Sequence, residues 1–326
     1  QTGMGLLMKF ILSEVKVAKD LHGISAPFAL AACQQLTALV GIILFVGSTR
    51  FFSEDPYTPK ALAVDEIPML MFLALCFFLN ISLNLLSLTL VPHVLSLVIR
   101  GCSPLATALL QTILLRDQEI PYGEWLCMFL GTTMAALAAL AQGNSSFSSS
   151  PSSFIVAVML CVLSLFCSAL DFILKAKIGE DLNPIDTTLY QALPVLLMTG
   201  LLGWLPKEAP KMWTSQLGSS KLTDVAVMSH LLTTNPSVLS WMLLSGLCAL
   251  VHNLFLTFLV VKMTPTTVAF AGNFNKAATV VLSAVLFRGE LAKGYRGKVL
   301  AFAVCGNLLS FAIYNLLRHQ RLTSTS

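Results

Sequence analysis

The chain has 326 residues, of which 56% are hydrophobic and only 11% charged, with a formal charge of +4 at pH 7. A soluble domain carries about 25% charged residues. The shortfall, with a mean hydropathy of +0.80, excludes an ordinary soluble core and points to a polytopic helical membrane protein. The small positive excess sits in short connectors and at the tail (Arg318, Arg321), which leaves no nucleic-acid footprint.

The chain opens with Gln1 rather than Met, so an N-terminal piece is expected to precede it. The stretch Gly5–Val17 (GLLMKFILSEVKV) is too short to cross a bilayer, which takes about 20 residues. It reads as the second half of a first helix. Apolar runs then predict spans near 26–48, 67–89, 92–116, 122–142, 153–176, 185–206, 237–262, 264–288 and 294–317. The expectation is an all-α polytopic protein of ten transmembrane helices, the first one truncated.

The connectors are short and polar. Residues 52–65 carry Pro56 and Pro59, and 178–186 form a turn with Pro184. The longest, 207–236, is expected to hold a short interfacial helix. Asn144-Ser-Ser is a glycosylation sequon in a Ser-rich connector. The Lys and Arg counts on the two sides come out nearly equal, so they do not decide orientation. All eight cysteines lie in apolar stretches without CxxC spacing and read as small buried hydrophobes.

Three basic residues fall inside apolar runs: Lys9, Arg100 and Lys276. A cation at the centre of a membrane helix costs about 2.5–3.5 kcal/mol on insertion scales, so something anionic is expected to bind there. For Arg100 the competing explanation is an ion pair with a membrane acid. Asp171 is the main acid available, and Lys175 stands four residues on, one helical turn away, where it can take it. Lys9 reads as a residue that snorkels to an interface or braces a gate. His252 and Asn253, Tyr190 and Gln191, and the pair Asn80 and Asn84 on one helix face are polar groups inside spans. Each reads either as interhelical glue or as cavity lining. Asn273 and Asn275 flank the Lys276 turn, and Asn273 is the one favoured for the cavity.

Residues 90–120 and 262–291 resemble each other. Each has a proline turn (Pro92, Pro265), a mid-helix basic residue, a small-residue stretch, and an aliphatic run closed by Arg116 or Arg288. The copies are five spans apart, so one is inverted relative to the other. Inverted repeats place a substrate site near the midplane. The expected organisation is a first five-helix repeat over 1–143, a Ser-rich connector over 144–152, a second repeat over 153–317 and a polar tail over 318–326.

At these residues the chain resembles the triose-phosphate and nucleotide-sugar transporter family of the drug/metabolite transporter superfamily, over nearly its whole length. Arg100-Gly-Cys-Ser-Pro104 looks like the Lys-Ala-x-Glu-Pro segment of plastid translocators, with Arg100 at the phosphate-binding lysine. DQEIP (117–121) and Trp125 follow as in the family. Thr264-Pro265 and Gly272-Asn273-Phe-Asn-Lys276 are similar to its Pro…Gly-Asn-x-x-Lys, with Lys276 as the second phosphate ligand. His252 falls near a tyrosine that contacts phosphate in the translocators. Tyr190 matches the tyrosine of the Phe-Tyr-Asn-Asn stretch of GDP-mannose carriers. The chain departs from the family at Ala277, where sugar-phosphate translocators have arginine, and at Ser103, where they have glutamate.

The resemblance implies an antiporter of a phosphorylated organic anion, a nucleotide sugar or sugar phosphate, working by alternating access. Arg100, Lys276, Asn273, His252, Tyr190 and Asn84 are its candidate substrate ligands. It implies a Golgi or ER membrane, with the plastid envelope second. Expected partners are the phosphate-bearing cargo and the lipid bilayer, with a homodimer allowed and no nucleic acid. No HExxH, GxSxG or paired membrane acids occur, so an enzyme is not expected, nor is a cofactor or metal. The competing classes are an exporter of a non-phosphorylated small molecule and a non-transporting scaffold on the same fold.

Overall fold

The computed structural model of the chain describes residues 11, 15–18, 21–90, 93–115, 120–142, 151–208, 213, 218, 221–273 and 295–325. Its helices are α1 (Pro27–Phe52), α2 (Ile67–Leu90), α3 (His93–Gly101), α4 (Ser103–Leu114), α5 (Tyr122–Gln142), α6 (Pro151–Ile178), α7 (Pro184–Leu202), α8 (Asp224–Thr234), α9 (Val238–Lys262) and α10 (Tyr295–Thr325). A further helical stretch covers 265–273. Two small antiparallel hairpins pair β1 (Lys16–Ala18) with β2 (Leu21–His22) and β3 (Lys207–Glu208) with β4 (Lys221–Leu222).

Six of the described helices are long and apolar enough to cross a membrane. The burial pattern is that of a protein solvated by lipid. Leu44, Leu197, Phe255 and Leu309 point outward, while Gln34, Gln191, Ser245 and Asn307 are buried. In water that distribution would be reversed. The chain is an all-α, multi-pass integral membrane protein.

Two expectations are corrected. The helix expected to run through Val17 does not include that residue: Val15 is not helical and Lys16–Ala18 is a strand. Val15 and Val17 alternate with charged residues, a period-two pattern of β-branched side chains that favours extended backbone. Gly23, at a φ of +76° that suits glycine, turns the chain so that its N–H reaches the Val15 carbonyl at 2.9 Å. The span expected over 92–116 is broken at Cys102 into α3 and α4. Lys9, Lys276, Asn275 and the Asn144 sequon lie outside the described residues.

The described residues form two compact units, and each draws chain from both sequence halves. The first takes residues between 3 and 78 and between 177 and 261. One core there gathers Ile24, Leu30, Trp213, Val227, Leu231 and Met242, with the Trp213 indole donating to the Gly23 carbonyl at 3.2 Å. α8 occupies the long connector. Thr223 caps it by accepting from the Ala226 N–H at 3.1 Å. The buried Asp224 accepts from the Phe28 and Ala29 N–H groups at the start of α1, at 2.7 and 3.0 Å, and pairs with Lys207. Those N–H groups have no partner within their own helix, so a carboxylate there both caps and complements the helix dipole.

Gly246 of α9 lies against Thr37 of α1, where a Cβ would come within 2.5 Å of the Thr37 hydroxyl. Next to this contact the Gln34 amide donates to the Ser245 hydroxyl at 2.7 Å. Small residues let membrane helices approach this closely. Gly246→Val is expected to lower stability by about 1–3 kcal/mol, read as a fall in unfolding temperature in detergent. An unchanged temperature would mean that α1 and α9 do not meet at this contact.

The second unit takes residues between 79 and 176 and between 262 and 326. Its core joins Met128, Phe270 and Tyr314, the two rings edge to face with centroids 5.1 Å apart. Gly131 admits the Phe270 ring, and the Asn307 amide donates to the Gly131 carbonyl at 2.8 Å. α10 runs on to Thr325, past the expected end of its span. Arg318 donates to Thr264 at 2.6 Å, and Arg321 pairs with the buried Glu124 at 3.3 Å.

Candidate functional site: a broken helix at Arg100

Pro104 explains the break. It has no N–H, and in a continuous helix its ring collides with the carbonyl four residues back, which here belongs to Arg100. The Cys102 N–H instead bonds the Ile99 carbonyl at 3.0 Å, a tight final turn to α3. α4 restarts when the Ala106 N–H reaches the Cys102 carbonyl, also at 3.0 Å. Backbone carbonyls freed inside a bilayer must be satisfied by protein. The Gly101 carbonyl accepts from the Asn273 amide at 2.7 Å and from the Thr132 hydroxyl at 3.3 Å. Asn273 is fully buried. It ties the end of α3 to the 265–273 stretch.

The break leaves Arg100 on the last turn of α3. One terminal nitrogen of its guanidinium donates to the Asn80 side-chain oxygen of α2 and to the Ser164 hydroxyl of α6, both at 3.1 Å. Ser164 in turn donates to the Asn80 carbonyl at 2.9 Å. Both of these acceptors are neutral oxygens, and together they fix where the guanidinium points. On α6, Asp171 is bonded to Lys175 at 2.8 Å, with side chains only 3% and 1% exposed. The i, i+4 pair expected from the sequence is therefore formed. Asn84 lies one turn beyond Asn80 on the same face of α2. Its side-chain oxygen is buried and has no hydrogen-bond partner among the described residues.

Of the six expected ligands, Arg100, Asn84 and Asn273 belong to this unit. Tyr190 and His252 belong to the other unit, and Lys276 lies outside the described residues. His252 is half-buried in α9. The Tyr190 hydroxyl donates to the Lys60 carbonyl at 2.7 Å, so it ties the 53–66 connector to α7. Asn80, read from the sequence as glue or lining, bonds Arg100 and Ser164. The sequence does not mark Ser164 or Thr132. A hydroxyl in an apolar helix ordinarily bonds its own backbone, and nothing local distinguishes one that serves another helix.

The same connector is held by a second polar cluster. Asn183 caps α7, its side-chain oxygen accepting from the Ile185 and Asp186 N–H groups at 3.0 and 2.9 Å. The buried Asp186 accepts from the Tyr57 hydroxyl at 2.7 Å and the Lys60 N–H at 3.1 Å. Burial first, and then the bond to Asp186, push the Tyr57 phenol up from 10 to about 12. A raised folded-state pKa stabilises the fold below the unfolded value, and that contribution is lost as pH climbs from 10 toward 12. Tyr57→Phe is expected to flatten the fall of melting temperature across that window. Parallel curves for variant and wild type would contradict this.

No protein-family model matches the chain, and no curated protein matches it. Solved structures do, 28 chains in all. One, described as "Crystal structure of protein", superposes with a TM-score of 0.61 at 13% identity, over 98% of this chain and 96% of its own. At that identity the likeness concerns the fold alone. Fold and buried polar cluster together define a multi-pass helical membrane protein that carries a fixed cation at a helix break.

Proposed function

We propose that the chain is a secondary transporter: an antiporter that exchanges a phosphorylated organic anion, a nucleotide sugar or sugar phosphate, across an organelle membrane. The observation that carries this reading is the break itself, with Arg100 at its edge. Carriers build midplane substrate sites from discontinuous helices, and a guanidinium oriented by neutral oxygens is suited to an anionic group. The resemblance of the Arg100 and Lys276 segments to the triose-phosphate and nucleotide-sugar transporter family supports the same reading, with Lys276 as the second cation. So does the repeat between residues 90–120 and 262–291, which fits ten helices arranged as two inverted sets of five. The Asn144 sequon favours the Golgi or ER, with a plastid envelope as the second location.

Exchange follows from charge. An empty site that closes around desolvated cations is disfavoured, and an anionic cargo relieves that cost, so the loaded carrier reorients and the empty one does not. The test is uptake into proteoliposomes. Uptake of a labelled phosphate compound is expected only when the vesicles are preloaded with a phosphate compound. Uptake confined to uncharged or non-phosphorylated solutes would overturn the proposal.

A further inference from the structure

We infer that Asn84 sets the specificity of the Arg100 site, its side-chain oxygen receiving a hydroxyl or N–H carried by the cargo about one helical turn away from the phosphate. The inference rests on the reading of Arg100 as the anion ligand. Asn80 and Asn84 project from one face of α2, separated by about 6 Å along the helix axis. The side-chain oxygen of Asn80 is engaged in aiming Arg100. Asn84 has the same chemistry but a different state. Its backbone carbonyl accepts from Ser87 at 2.9 Å, while its side-chain oxygen is buried and unbonded among the described residues. Buried polar atoms are nearly always paired, so an orphan calls for an explanation.

The chemistry of the orphan narrows that explanation. An amide oxygen only accepts, so its absent partner is a donor. A fully ionised phosphate only accepts, so the phosphate cannot be that partner. The anion therefore goes to the guanidinium, and a separate donor goes to Asn84. Hydroxyl-bearing organic phosphates fit: a polyol or sugar phosphate, or a nucleotide whose ribose hydroxyls lie near its phosphate. Alkyl phosphates of the same size do not.

The experiment measures binding by thermal stabilisation over a concentration series, for wild type, Asn84→Leu and Arg100→Gln. Two matched pairs serve as probes: glycerol 3-phosphate with n-propyl phosphate, and uridine monophosphate with its 2′,3′-dideoxy analogue. Leu is close to Asn in size and leaves no orphan, so Asn84→Leu is expected to fold at least as well as wild type. In at least one pair wild type should bind the hydroxylated member about tenfold more tightly, and Asn84→Leu should bind both members alike. If the preference persists in Asn84→Leu, or wild type shows none while Arg100-dependent binding remains, the role of Asn84 is overturned and the anion site stands. If no probe binds in an Arg100-dependent way, the organic-phosphate reading falls and this inference with it.

Discussion

Replacing Arg100 with Gln should cut exchange by roughly 100-fold or more. Losing one partner of a desolvated, charge-assisted contact costs about 2–5 kcal/mol, and each 1.4 kcal/mol is about tenfold. Gln keeps a polar amide but is shorter than Arg and carries no charge. Asn80 and Ser164, which Arg100 contacts at 3.1 Å, still bond each other through the Ser164 hydroxyl, and membrane insertion should be intact. Arg100→Lys keeps the charge and loses the fork that matches phosphate oxygens, so it should recover part of the activity. Because a cation inside the bilayer opposes folding, Arg100→Gln should melt no lower than wild type without cargo. Normal exchange by Arg100→Gln would remove the guanidinium from the mechanism.

The second large effect is structural. Lys175→Met should destabilise the protein by about 3–5 kcal/mol, because it removes the ion partner of a buried carboxylate, Asp171, in a membrane helix. The same chemistry makes a sharper expectation for the double variant Asp171→Leu with Lys175→Met. Replacing both ions of a buried pair with apolar groups is often neutral or stabilising, so the double variant should melt near or above wild type. Unfolding temperatures of the three proteins in one detergent check this. Equal losses in the single and double variants would contradict it and give Asp171 a role beyond its pair.

Hydropathy locates the helices well where it alone decides. The span expected at 122–142 is α5, and those at 67–89 and 237–262 differ from α2 and α9 by one residue. It fails at ends that polar contacts decide. α10 continues to Thr325 because a helix does not need apolar residues once Arg318 and Arg321 have partners in Thr264 and Glu124. Nor does hydropathy show the break at Cys102, since Pro104 sits in an otherwise unbroken apolar run. A proline in such a run can kink a helix or end it. What makes the break tolerable is that Asn273 and Thr132, 172 and 31 residues away from Gly101, meet its freed carbonyl.

The candidate site is legible in part for the same reason. Arg100 stands out because a cation in an apolar run is conspicuous. Its partners do not, since Asn80 and Ser164 lie 20 and 64 residues away and share no local pattern with it. Tyr190 is conspicuous as a polar residue in a span, yet its hydroxyl serves the Lys60 carbonyl of a connector. Asp186, which holds Tyr57 and Lys60, is not, because an acid beside a proline turn looks like an ordinary helix start.

The central claim is that the Arg100 break binds a phosphate-bearing anion. It is tested most directly by thermal stabilisation of the purified protein against inorganic phosphate, triose, pentose and hexose phosphates, and UDP-, GDP- and CMP-sugars with their monophosphates. A ligand that binds the folded state raises the melting temperature by mass action. The expected result is a saturable rise with one of these compounds in wild type that vanishes in Arg100→Gln. A rise of the same size in both proteins, or none with any phosphate compound, would contradict the claim.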